Sequence, residues 1–150
     1  ERLSADVPAQ SATGIVHGDF RLDNVLIDDE GRATAVLDWE MATLGDPLTD
    51  LALMLTYDHM AGVIGDIVVD AALAPGYLGE EEILARYSSF SDRDLSRIGW
   101  YRGLAAFKLV AIFEGIHFRY LAGQTLGSGF DRIGETIPPL LDAGLAALDD

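Results

Sequence analysis

The hydrophobic pattern of this chain changes period once, at Gly45-Asp46-Pro47, and that change limits the folds open to it. Ahead of it lie short β-branched runs, Gly14-Ile15-Val16-His17, Val25-Leu26-Ile27 and Ala33 to Trp39. Asp28-Asp29-Glu30-Gly31 is a turn signal between the last two, so residues 14–39 read as a compact β-hairpin with a loop in front of it. Behind the change, Leu48, Leu51, Ala52 and Leu55 form an i, i+3, i+4, i+7 stripe, with Pro47 suited to a first helical turn and Asp46 to its cap. A second helix is expected from Glu80 to about Phe90. A third, capped by Ser91-Asp92, carries Ile98, Tyr101, Ala105, Leu109, Ile112, Ile116 and Tyr120 on one face and stops at Gly123. A last helix runs from about Asp131 to Leu148, bent near Pro138-Pro139. Residues 62–74 read as helix or loop before the Pro75-Gly76 break, and Gly127-Ser128-Gly129 as a flexible link. A little β followed by helices, without internal repeats, predicts a mainly helical α+β fold and not alternating βαβ units.

Composition narrows the function. At 150 residues the chain suits one domain or one large lobe, and 49% hydrophobic against 23% charged residues allows a packed core. Ten basic and twenty-five acidic residues give a net charge of −15, which a nucleic acid or an anionic membrane surface would repel and a cationic substrate would not. With no cysteine, disulfides, thiolate nucleophiles and zinc–sulfur sites are excluded. The N-terminus lacks the pattern of a secretory signal, and no apolar run reaches the roughly 20 residues that span a bilayer. A soluble cytoplasmic protein is the expectation. The first residue is Glu, not Met, which reads as a fragment or a trimmed product.

The chemistry concentrates in Ile15-Val16-His17-Gly18-Asp19-Phe20-Arg21-Leu22-Asp23-Asn24-Val25-Leu26-Ile27 and Val36-Leu37-Asp38-Trp39-Glu40. A hairpin brings the start of one strand beside the end of its partner, so Asn24 and Asp38 are expected to face each other with Asp19 in the loop ahead of them. An amide and a carboxylate oxygen so placed suit a hard divalent cation such as Mg²⁺. A further carboxylate could orient a hydroxyl and receive its proton. Phosphoryl transfer needs these parts, because the catalyst there mainly positions groups and neutralises charge. Protein kinases use H-R-D-x-x-x-x-N and D-F-G for the same jobs. His17-Gly18-Asp19, Asn24 and Asp38 occupy matching relative positions, with Gly in place of Arg.

That replacement points to a family. The segment resembles the aminoglycoside phosphotransferase and choline-kinase-like group, whose loop reads H-G-D-x-x-x-x-N, and is most similar to the kinase-like domains fused to some acyl-CoA dehydrogenases. Leu37-Asp38-Trp39-Glu40 and Gly45-Asp46-Pro47-Leu48-Thr49-Asp50-Leu51-Ala52 carry the likeness further. It implies a protein-kinase-like C-terminal lobe over residues 1–150, with 1–13 a loop or frayed end, 14–39 the catalytic loop and hairpin, and 46–150 a helical subdomain. It implies Asp19 as catalytic base, Asn24 and Asp38 as Mg²⁺ ligands at the ATP site, His17 as a brace and Asp50 as a support of the loop backbone. Arg21 would touch the transferring phosphoryl group or the substrate. The expected acceptor is a small-molecule hydroxyl.

Other charged and aromatic residues read as structure. Asp28-Asp29-Glu30 suits a solvated turn, Glu80-Glu81-Glu82 a helix start, His59 and His117 isolated structural positions. Asp23 is set aside because neighbours on a strand point to opposite faces. Trp100, Tyr101, Phe107, Phe113, Phe118 and Tyr120 read as core, with one or two available to a cleft. Sixteen residues before His17 are too few for the lobe that grips ATP in this family, and the one lysine, Lys108, lies far downstream in a helix. The N-terminal ATP-binding lobe is therefore expected to be absent, and the chain to self-associate through residues 15–40 or to pair with such a lobe. A non-catalytic binding module is the alternative, and a metal-dependent phosphohydrolase ranks last.

Overall fold

A computed structural model describes residues 1–64, 70–125 and 129–149. Its elements are α1 (Arg2–Ala5), β1 (Gly14–Val16), β2 (Val25–Ile27), β3 (Ala33–Val36), β4 (Thr43–Gly45), α2 (Leu48–Ile64), α3 (Glu80–Phe90), α4 (Ile98–Leu121) and α5 (Ile133–Ala147). Short 3₁₀ turns at Leu22–Asn24, Trp39–Met41, Asp70–Leu73 and Phe130–Arg132 join them. The fold is mainly helical with a small antiparallel β portion, as the sequence pattern implies. Of the segments anticipated above, 65–69, Gly127 and Ser128 lie outside the described residues.

The β portion differs from a single hairpin. β2 pairs with β3, and β1 pairs with β4, whose three residues Thr43-Leu44-Gly45 carry too little pattern to announce a strand. The strand expected to reach Trp39 ends at Val36. Asp38 adopts φ 65°, a left-handed conformation that a ladder does not admit. Beyond it the Trp39 indole N–H donates to the Val36 carbonyl at 2.7 Å, and its ring packs 4.7 Å from the His17 ring. Residues 1–13 are also more than a frayed end, since α1 lies there and Ser11 is tied into the core.

Leu48, Leu51, Ala52 and Leu55 are buried, and Leu53, Thr56 and Met60 bury a second face of α2. Helix α2 is thus packed on both faces and centres the core with Tyr101, Ala105, Ala106, Leu109 and Leu140. At α3 the Glu82 carboxylate accepts the Gly79 N–H at 3.0 Å, and Glu80 pairs with Arg102 of α4 at 2.6 Å. Ser91-Asp92 does not cap α4. Ser91 Oγ instead accepts the Arg93 N–H and Asp94 holds Ser96, so the helix begins only at Ile98. Its other end closes on Gly123 at φ 68°, with Gly123 N–H donating to Tyr120 O and Gln124 N–H to Arg119 O, a Schellman cap.

The face predicted for α4 is buried only in its first half. Tyr101, Ala105 and Leu109 are covered, whereas Ile112 and Tyr120 are each 37% exposed, because α2 packs only along the earlier turns. Phe107 and Phe118 are 58% and 71% exposed and so are not core. Helix α5 continues through Pro138 and Pro139 and packs tightly on α4. A Cβ at Gly144 would lie 2.5 Å from that of Ala106, and one at Gly103 would lie 2.6 Å from Leu148 Cδ2.

Asp46 ties three distant segments together. Its carboxylate accepts the Leu48 N–H (3.0 Å), the Ser11 hydroxyl (2.6 Å) and the buried Tyr101 hydroxyl (2.8 Å). Burial opposes its ionisation, yet the donors from Ser11, Leu48 and Tyr101 together hold its pKa below the ordinary 3.8. Burial and the neighbouring carboxylate push the Tyr101 hydroxyl up to about 12, so it stays a donor. Asp46→Ala removes a helix cap and strands a buried hydroxyl, and is expected to cost roughly 2–4 kcal/mol in urea unfolding. A carboxyl whose folded pKa is depressed stabilises fully above the unfolded value and loses that contribution as pH falls through the folded one. Asp46→Asn should therefore lose less stability than the wild type as the pH drops below 3.8.

Candidate active site

Every backbone polar group of the His17–Asp19 loop except the His17 carbonyl has a named partner. The His17 and Gly18 N–H groups donate to the two oxygens of Asp50, at 2.6 and 2.9 Å. The Asp19 N–H donates to His17 Nδ1 at 3.2 Å. That places the imidazole proton on Nε2, which donates to the Leu37 carbonyl at 2.7 Å. The Asp19 carbonyl accepts from Asn24 Nδ2 at 2.8 Å, and the Gly18 carbonyl accepts from Lys108 Nζ. Gly18 turns the chain at φ 84°, where a Cβ would sit 2.6 Å from the Met41 carbonyl oxygen, so only glycine fits.

This backbone fixes the Asp19 carboxylate. Oδ1 accepts the Tyr57 hydroxyl at 2.8 Å, and Oδ2 faces Asn24 Nδ2 at 3.3 Å. Burial first, and then the adjacent Asp19, raise the Tyr57 pKa well above the usual tyrosine range and keep it a donor. The Arg21 guanidinium lies 5.2 Å from the centre of the Tyr57 ring and pairs with Asp23 at 2.8 Å, while its buried Nε has no partner. Asp23, set aside on strand geometry, sits in a 3₁₀ turn and neutralises Arg21.

Asp38 is placed through Leu37. The Leu37 N–H donates to the Asn24 carbonyl at 2.7 Å and its own carbonyl is held by His17, so Asp38 follows a residue pinned at both ends. With Nδ2 of Asn24 turned to Asp19, its Oδ1 has no hydrogen bond among the described residues, and neither has the Asp38 carboxylate. Asn24 is buried, Asp38 is exposed and held in left-handed backbone, a strain that functional sites retain. One amide oxygen and one carboxylate are hard oxygen donors of the kind Mg²⁺ takes. No group of three or more His, Cys, Asp or Glu among the described residues is placed so that it could hold a metal ion. A cavity of about 620 Å³ lies beside the loop, lined by His17, Phe20, Trp39, Met54 and Tyr87 among others, but Asp19, Asn24 and Asp38 do not line it.

Two contributors lie outside the motif. Tyr57 and Lys108 come from helices 38 and 90 residues away from the groups they bind. Tyr57 reads as an ordinary helix residue in sequence. Lys108 carried one faint signal, a lone cation in an apolar stretch of α4.

The fold is that of a kinase-like phosphotransferase lobe. The profile of the "Phosphotransferase enzyme family" matches residues 1–89, and the chain belongs to that family. Mouse acyl-CoA dehydrogenase family member 11 is 34% identical over 137 residues, covering 87% of this chain and 18% of that protein. Mouse acyl-CoA dehydrogenase family member 10 is 30% identical over 138 residues, with 89% and 13% covered. A crystal structure from Ralstonia eutropha, provisionally assigned as an aminoglycoside phosphotransferase, superposes with a TM-score of 0.81 at 29% identity, covering 99% of this chain and 46% of that one. The chain thus spans less than a fifth of these two curated relatives and under half of the solved one. No helix among the described residues is long and apolar enough to cross a membrane.

Proposed function

We propose that this chain is the catalytic lobe of an ATP- and Mg²⁺-dependent enzyme that phosphorylates a hydroxyl group of a small molecule. One observation carries the reading. Asp19 is gripped at both carboxylate oxygens while Asn24 Oδ1 and the carboxylate of Asp38, the residue after the one bonded to the Asn24 carbonyl, keep free lone pairs. In this reading Asp19 aligns the acceptor hydroxyl and takes its proton as the oxygen bonds to the γ-phosphorus and ADP departs. Asn24 and Asp38 hold the metal, whose contribution is to neutralise charge on the phosphate oxygens. His17 and Asp50 keep the loop in place. Arg21, already facing Tyr57, is the cation assigned to a phosphoryl or substrate oxygen.

Calorimetry of the 150-residue chain with ADP, with and without Mg²⁺, tests the metal site. Mg²⁺-dependent binding that disappears in Asp38→Asn is expected, and a folded chain that binds no nucleotide contradicts the claim that this lobe assembles the site. Asp19→Asn should lower phosphoryl transfer by at least about 100-fold with nucleotide affinity little changed. Substantial turnover in that variant would remove Asp19 from the role of base.

A second proposal concerns partners. Ile15, Leu22, Leu26, Ile27, Leu37, Trp39, Met41 and Leu44 are all at least 42% exposed and cluster within residues 15–44. Exposed apolar side chains in such number are characteristic of a buried interface, and the Ralstonia relative is more than twice as long. We assign this face to a nucleotide-binding lobe, and expect the isolated chain to self-associate through it. Light scattering should show mass rising with concentration and an Ile15→Glu, Leu44→Glu chain remaining monomeric. A wild-type chain that stays monomeric at high concentration would count against the assignment.

A further inference from the structure

Lys108 belongs to a series of donors on and just before α4 that hold the chain ahead of α2. Arg97 donates to the Asp6 carbonyl at 3.0 Å, the Trp100 indole to the Leu3 carbonyl at 3.0 Å, and the Tyr101 hydroxyl to Asp46 at 2.8 Å. Seven residues after Tyr101, two helical turns along the same face, Lys108 reaches the Gly18 carbonyl. Buried Ala105 and Leu109 beside it anchor this stretch of the helix.

The contact completes a clamp of opposite charges. Gly18 offers its N–H to the Asp50 carboxylate of α2 and its carbonyl to the Lys108 ammonium of α4. Two consecutive peptide units on either side of φ 84° are thus each held by a full charge of the matching sign. The peptide that Lys108 holds is the one whose N–H belongs to Asp19. Its orientation therefore fixes where Asp19 leaves the chain toward Tyr57 and Asn24. Gly18 is buried, so its carbonyl has little water to fall back on.

The geometry points to Lys108 as the positioning residue of the Asp19 loop, acting through the Gly18 carbonyl and by its charge. Its meaning for catalysis rests on the phosphotransfer reading above, while its effect on the loop does not. A chain of net charge −15 with one lysine places that lysine on this carbonyl.

Amide hydrogen exchange on the full 150-residue chain tests this without requiring turnover. Lys108→Met keeps the length of the stem and removes the charge, and Lys108→Arg keeps the charge. Met should speed exchange at Gly18 and Asp19 roughly ten- to hundredfold, with the α2 and α4 amides around Leu53 and Leu109 changed far less. Arg should restore most of the lost protection. Unchanged exchange in Lys108→Met overturns the proposal, and equal loss in both variants overturns the assignment to charge. Global acceleration in Met, including the α2 amides, would make Lys108 a general stability residue and also overturn it. Mg²⁺–ADP titration of the same proteins separates the two claims. If the wild type binds no nucleotide the phosphotransfer reading fails, and the exchange data still decide the role of Lys108.

Discussion

The start of α2 holds the molecule together through two carboxylates one turn apart. Asp46 gathers Ser11, Leu48 and Tyr101, and Asp50 gathers the amides of His17 and Gly18. Both lie where the helix dipole favours negative charge. The arrangement is needed because the β portion has little apolar attachment of its own. Before Leu48, Val16 is the one hydrophobic side chain that is buried among the described residues. Hydrogen bonds to charged groups, stronger and more directional than neutral ones, do the work a core does elsewhere. An attachment of that kind also fixes angles, and a reactive loop depends on them.

The loop shows the consequence. Its amides point down to Asp50, its Gly18 carbonyl to Lys108 and its Asp19 carbonyl to Asn24. Asn24 then has one free atom, Oδ1, whose direction is set by the two hydrogen bonds that its Nδ2 makes. The exposed left-handed Asp38 is fixed in the same way through the peptide before it. Asn24 Oδ1 and the Asp38 carboxylate are left unpaired while the peptides that carry them are held, which is preorganisation in its plain sense.

Much of this was legible in the chain itself. The i, i+3, i+4, i+7 stripe of Leu48 to Leu55 marked a buried helix because one apolar face of that helix is continuous. The spacing of Asp19, Asn24 and Asp38 named the candidate site because those residues are close in sequence and joined by short strands. What was not legible depended on distant partners. The strand β4 exists only through its pairing with β1. Asp38 ends β3 early because Trp39 finds His17. Tyr57 and Lys108 carry no motif, and their contacts follow from where two helices cross the loop. The start of α4 was misplaced because Ser91 satisfies Arg93, a local turn with the same residue types as a helix cap.

Replacing Mg²⁺ by paramagnetic Mn²⁺ in the presence of ADP, and following amide signals by NMR, tests the central claim most directly. The ion relaxes nearby nuclei and so reports its position whether or not the chain turns over. The account predicts that signals of Asn24 and Asp38 broaden first, at low metal, and that ADP sharpens this selectivity. Broadening that instead begins at the exposed acidic runs Asp28–Glu30 and Glu80–Glu82 and spares Asn24 and Asp38 would contradict it.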